Sequence, residues 1–118
     1  MDSHGVRQVP GYVEDIKRSF LLPAAKPEVL QKKNGGLLVS GSWTFGQVAA
    51  EFALREGIKG LDNSAVVLVG LVQCHHLGRV GHYAEMAAEA GAIAIICSGG
   101  HGVGTPLTAP YGGRERIF

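Results

Sequence analysis

Residues 72–85, Val-Gln-Cys-His-His-Leu-Gly-Arg-Val-Gly-His-Tyr-Ala-Glu, hold most of the side chains in this sequence that could do chemistry. Imidazole exchanges protons near neutral pH, so the histidines here are candidates for acid/base work. Another imidazole, His4, lies in Asp2-Ser3-His4-Gly5, with Arg7, Gln8 and Tyr12 following at helical intervals. The pattern alone leaves His4 open between a helix-start residue making a local hydrogen bond and a group facing a ligand. Cys74 beside His75 could be an activated nucleophile. A buried cysteine closing a strand is the commoner arrangement, and that reading is preferred. A metal could draw on Cys74, His75, His76, His82 and His101. Neighbouring histidines usually point apart, however, and no Asp or Glu stands at ligand spacing, so no metal is expected. Gly100-His101-Gly102-Val103-Gly104 imitates a dinucleotide fingerprint, but Thr105-Pro106 stops a helix from opening behind it. The physical reason for that motif is therefore missing.

The elements around these residues follow from periodicity. Residues 65–72 are apolar and rich in β-branched side chains, the signature of a strand buried on both faces. Behind the two adjacent histidines, Val80, Tyr83, Ala84, Ala87 and Ala88 mark a narrow helical face over 79–90, closed by Gly91. Residues 92–97 read as a second buried strand, so 65–97 is expected to form a parallel βαβ unit. The histidines then sit at the carboxyl end of a strand and the start of a helix. Ligands gather there in open α/β folds, and unpaired backbone N–H groups attract anions.

Upstream, Val9, Val13, Ile16 and Phe20 recur at helical spacing over 3–20, with Ser3 as a possible cap and Pro10 bending or starting the regular part. Residues 28–33 and 37–39 flank Asn34-Gly35-Gly36, a hairpin signal. Phe45, Val48, Ala49, Phe52 and Ala53 place a helix over 45–58. Trp43, just before it, is expected to anchor the core. The architecture expected is α/β, a mixed sheet with flanking helices.

A chain of 118 residues with net charge +1 is one domain at most, and its charge favours neither nucleic acid nor membrane as partner. Two cysteines suit a reducing cytoplasm better than a disulfide scaffold. No apolar run reaches the length of a transmembrane helix, and the N-terminus does not read as a signal peptide. A site-like motif directly after Met1 and an ending on Arg-Ile-Phe suggest a piece with both ends cut.

Four segments then appear together: Asp2-Ser3-His4-Gly5-Val6 with Tyr12; Phe45-Gly46-Gln47; His76-Leu77-Gly78 with Gly81 and Tyr83; and Ala109-Pro110-Tyr111 with Gly112-Gly113. In order and spacing they resemble the type-2 malate/L-lactate dehydrogenases, NAD(P)-dependent enzymes outside the Rossmann fold. Phe-Gly-Gln-Val-Ala-Ala and His-His-Leu-Gly-Arg-Val-Gly are most similar to the hydroxycarboxylate dehydrogenase branch. The resemblance implies a fragment of that fold, a partial oxidoreductase domain over 1–118. The N-terminal helices and most of the cofactor-binding part would lie outside it.

The same resemblance implies a reaction of the EC 1.1.1 class between a small 2-hydroxy acid and its 2-oxo acid, with NAD or NADP. It assigns acid/base work to His76 or His4, with His76 favoured for the proton and His4 for contact with substrate and nicotinamide. Gly78, Arg79 and Val80 are expected at the cofactor, and Ser3, Arg7 and Tyr12 at the substrate. His75 and His82 are read as structural or peripheral. The full-length parent is expected to be a cytoplasmic homodimer. Many members carry an arginine four residues after the first histidine, where this chain has Gln8. Arg7 stands one residue earlier, turned by about 100° on a helix. The lysine some members carry before Ala-Pro-aromatic-Gly has no counterpart here. The alternative is a catalytically inactive truncated fragment, or an interaction module without enzymatic activity.

Overall fold

The computed structural model describes residues 5–99. The expected hairpin forms: β1 (Glu28–Lys33) pairs antiparallel with β2 (Gly36–Ser40). Gly35 turns the chain at φ +70°, a conformation open to glycine at little cost. β1 is the sheet edge, exposed along its whole length. A register shift between Val29 and Gln31, together with Lys32 and Lys33, blunts that edge against further pairing.

After β2 the chain enters α2 (Gly46–Gly60) and returns in β3 (Leu68–Val72), parallel to β2 with Gly36 opposite Leu68 and Ser40 opposite Val72. The sheet is therefore mixed, in the order β1-β2-β3. The parallel βαβ unit spans 36–72, not 65–97 as expected from the apolar runs. Residues 92–99 form no strand, and Ile93 and Ile95 are 100% and 92% exposed. Composition marks a segment as fit for a strand, but a ladder also needs a partner edge, which composition cannot supply. Nor is β3 buried on both faces: its ends, Leu68 and Val72, are exposed.

The core lies between α2 and the sheet. Leu37, Val39 and Ala53 are buried, with Phe52, Val69 and Leu71 packed against them. Ala49, Ala53 and Gly57 let the helix approach closely; a Cβ at Gly57 would stand 2.6 Å from Val69 Cγ2. α3 (Gly81–Glu89) buries Tyr83 and Ala87 and ends before Gly91 at φ +76°.

The N-terminal helix is shorter than its periodicity suggests. A 3-10 turn at Val6–Gln8 leads into α1 (Val9–Lys17), with Pro10 in the first turn, where its missing N–H costs nothing. The stripe Val9, Val13, Ile16 and Phe20 faces outward rather than into the core. Leu21, fully buried, ties the end of α1 down, and Leu22 N–H donates to the Trp43 carbonyl. Trp43 itself is 49% exposed and anchors no core; its backbone, at φ +59°, leaves the sheet end in a tight turn. Among the described residues no helix is long and apolar enough to cross a membrane.

Candidate active site

Parallel pairing brings the segments after β2 and β3 out at the same end of the sheet. Gly41 N–H donates to the Val72 carbonyl (2.9 Å) and Trp43 N–H to the Gln73 carbonyl (2.8 Å). Ser40 Oγ donates to Gln73 Oε1 at 2.7 Å. Ser42, Trp43 and Gln73 all take positive φ here. Such conformations cost non-glycine residues about 1–3 kcal/mol each and collect where a surrounding network enforces them.

The two histidines follow this knot. α2 begins at Gly46, where a Cβ would stand 2.2 Å from the His75 carbonyl oxygen and 2.3 Å from that of His76. Glycine is required for that approach, which sets the positive end of the α2 dipole against both carbonyls. From the other side α1 presents Tyr12 and Asp15, three positions apart and so on one face. Tyr12 Oη lies 2.9 Å from His76 Nδ1, and Gln47 Nε2 donates to Tyr12 Oη at 2.8 Å. Asp15 Oδ2 lies 3.0 Å from His75 Nε2. The Tyr12 ring meets Phe45 edge-on at 5.8 Å between centroids. Since α1 buries none of its own residues, these contacts and Leu21 hold it in place.

The adjacent histidines therefore face different partners, His76 a hydroxyl and His75 a carboxylate. His75 Nδ1 is buried with no hydrogen-bond partner among the described residues. Burial pushes the Cys74 thiol above its ordinary range, which keeps it protonated and argues against a nucleophile. Among the described residues no three His, Cys, Asp or Glu side chains come together to hold a metal ion.

Beyond His76, the chain turns at Gly78 (φ +74°) beside a cleft of about 340 Å³ lined by Gln47, Glu51, Leu77, Arg79, His82 and Tyr83. Tyr83 Oη donates to the Leu77 carbonyl at 2.5 Å, which fixes the loop on α3. Arg79, expected at the cofactor, is ion-paired with Glu85; the pair raises the guanidinium's affinity for its proton and holds the Glu85 carboxyl below its usual range. In the first turn of α3, His82 N–H already donates to the Arg79 carbonyl and Tyr83 N–H to that of Val80. The donor set for an anion is thus smaller than a bare helix N-terminus offers. What remains at the cleft is Arg79, held by Glu85, beside the glycine turn of Gly78.

Of the residues expected at the site, the structure brings Tyr12 to His76 and places Gly78, Arg79 and Val80 directly after it. Arg7 is exposed in the 3-10 turn. Ser3, His4, His101 and the segment Ala109-Pro110-Tyr111-Gly112-Gly113 lie outside the described residues. Two contributors were missed. Asp15 carried a signal, its three-residue spacing from Tyr12. Gln47 stood inside a noted motif, but only the α2–α1 juxtaposition shows what it touches.

The model of the malate/L-lactate dehydrogenase family matches residues 1–118. Hydroxycarboxylate dehydrogenase B of Escherichia coli O157:H7 is 33% identical over 117 residues, which cover 99% of this chain and 32% of that protein. Malate/(S)-sulfolactate dehydrogenase of Methanothermus fervidus is 30% identical over 116 residues, covering 98% of this chain and 33% of its own length. The solved malate dehydrogenase of Pyrococcus horikoshii OT3 superposes with a TM-score of 0.66 at 29% identity, over 76% of this chain and 26% of that one. The chain thus spans about a third of the length of the relatives it matches.

Proposed function

Because the chain belongs to the malate/L-lactate dehydrogenase family, we propose that it carries the proton-handling part of a site interconverting a small 2-hydroxy acid and its 2-oxo acid with NAD or NADP. The observation that carries this reading is His76 held at Nδ1 by Tyr12, at the shared carboxyl end of two parallel strands. Reduction of a 2-oxo acid needs a hydride at C2, a proton for the oxygen, and a positive or dipolar partner for the carboxylate. A bound nicotinamide supplies the hydride. His76 supplies the proton in reduction and takes it in oxidation. His4 contacts substrate and nicotinamide, Ser3, Arg7 and Tyr12 belong to the substrate side, and Gly78, Arg79 and Val80 meet the cofactor. Malate and sulfolactate, in the names of relatives, share the 2-hydroxy acid unit that this chemistry addresses. A homodimeric parent in the cytoplasm belongs to the same proposal.

The test is a chimera in which residues 1–118 replace the matching third of the E. coli hydroxycarboxylate dehydrogenase B. It should oxidise NADH or NADPH with pyruvate, oxaloacetate or phenylpyruvate. A chimera that melts cooperatively and binds NADH, yet turns over none of a broad 2-oxo acid panel, refutes the assignment. A second reading has its own observation: the bare apolar segment with Ile93 and Ile95 suits a chain that does not catalyse by itself. Turnover by the isolated chain would exclude it.

A further inference from the structure

Gln47, Tyr12 and His76 form a line across three separate parts of the fold: the first turn of α2, the middle of α1, and the loop after β3. The amide N–H of Gln47 can only donate, and a phenol has a single proton. The phenol oxygen could accept from both neighbours, but its own proton would then meet neither; the line is satisfied throughout when Tyr12 donates to His76 Nδ1. A ring nitrogen that accepts carries no proton, so the neutral imidazole carries it on Nε2.

We propose that Gln47, acting through Tyr12, is a positioning residue that holds His76 in its Nε2–H tautomer. Nδ1 is taken by Tyr12, so a proton shared with a substrate passes through Nε2, as a hydrogen bond to the oxygen of the 2-oxo group. That use rests on the dehydrogenase reading; the tautomer does not. The line is also held in place. Gly78 has φ +74°, and a Cβ there would stand 3.2 Å from Gln47 Nε2, so the loop leaves room for the amide. Phe45 fixes the tyrosine ring edge-on.

Gln47→Glu reverses the line without changing its shape. An ionised carboxylate only accepts, so it takes the Tyr12 proton and leaves the phenol oxygen to accept from His76. The experiment is 15N NMR of the 118-residue chain labelled in histidine, at a pH where imidazole is neutral. Magic-angle spinning of sedimented protein serves equally and requires no monomer. The wild type should show a protonated Nε2 and a bare Nδ1 on His76, and Gln47→Glu should move a proton onto Nδ1. Tyr12→Phe, a smaller change, should shift the Nδ1 resonance to that of a nitrogen accepting no hydrogen bond. A wild-type proton on Nδ1, a Gln47→Glu ring with Nδ1 still bare, or an Nδ1 resonance indifferent to Tyr12→Phe would each overturn the relay. The label reports the proton whether or not any substrate turns over. The relay can therefore fail with an active chimera, and the chimera can be inactive with the relay in place.

Discussion

His75 and His76 share a peptide bond, yet their side chains reach different groups. His75 meets the Asp15 carboxylate, His76 the Tyr12 hydroxyl. In the proposed reading it is His76 that gives and takes the proton at a substrate. In the chimera, His76→Ala should lower kcat by on the order of a hundredfold or more, with the cofactor dissociation constant changing far less. Steady-state kinetics beside NADH fluorescence titration separates the two effects; a loss confined to cofactor binding would move His76 out of the proton step. The cysteines allow a second check. Burial disfavours the thiolate of Cys74, whereas Cys97 lies exposed. Iodoacetamide at mildly alkaline pH should label Cys97 roughly tenfold faster or more, which peptide mapping reads directly.

At the scale of elements, the site depends on how closely α2 approaches the loop after β3. Gly46→Ala improves helix propensity by at most about 1 kcal/mol, the helix-interior value, since Gly46 is the first residue of α2. Against that, its Cβ would meet two carbonyl oxygens of the backbone at 2.2 and 2.3 Å. Backbone cannot rotate away as a flexible side chain can, and overpacking costs typically 1–3 kcal/mol, so the clash wins. Gly46→Ala should lower the midpoint of urea unfolding. Because the displaced atoms belong to His75 and His76, it should also break the Asp15–His75 pair and speed amide hydrogen exchange in α1. Faster exchange in α1 without loss elsewhere would localise the damage; protection unchanged throughout would show that the loop yields freely.

At the scale of the whole molecule, Cys74 and Tyr83 among the described residues hold their protons more tightly in the fold than out of it. Burial is the largest cause for both: the Cys74 thiol is raised above its ordinary 9.0 and the Tyr83 phenol above its ordinary 10.0. Above pH 9 the unfolded chain therefore binds fewer protons than the folded one, and stability falls as pH rises. Below pH 9 both contributions are present in full. Urea melts between pH 8 and 11 should show this decline. Tyr83→Phe should flatten its upper part, while costing about 1 kcal/mol at neutral pH for the lost bond to the Leu77 carbonyl. The apolar surface makes a separate demand. Ile93 and Ile95, the α1 stripe, and Val66 and Leu68, each 75% exposed, give the described residues many bare apolar side chains, which favour self-association where they adjoin. Sedimentation velocity should show concentration-dependent self-association and NADH assays no turnover; a clean monomer with micromolar NADH affinity would contradict this.

Local chemistry was legible in the order of residues. Asn34-Gly35-Gly36 makes a hairpin because glycine accepts a positive φ, and 45–58 makes a helix because its apolar positions recur every three or four residues. The motifs carried the family, since four short segments in order leave few alternatives. Pairing and burial were not legible, because both depend on which surfaces meet. The run 92–97 is as apolar as 65–72, yet only the latter found an edge, when α2 returned the chain beside β2. The stripe on α1 has the period of a core helix and faces outward. Its other side is tied down by two polar contacts, Tyr12 to His76 and Asp15 to His75, across more than fifty residues of chain. Sequence supplied the tyrosine, the glutamine and the two histidines; only the packing of α1 against the segments that follow two parallel strands decided which hydroxyl faces which ring.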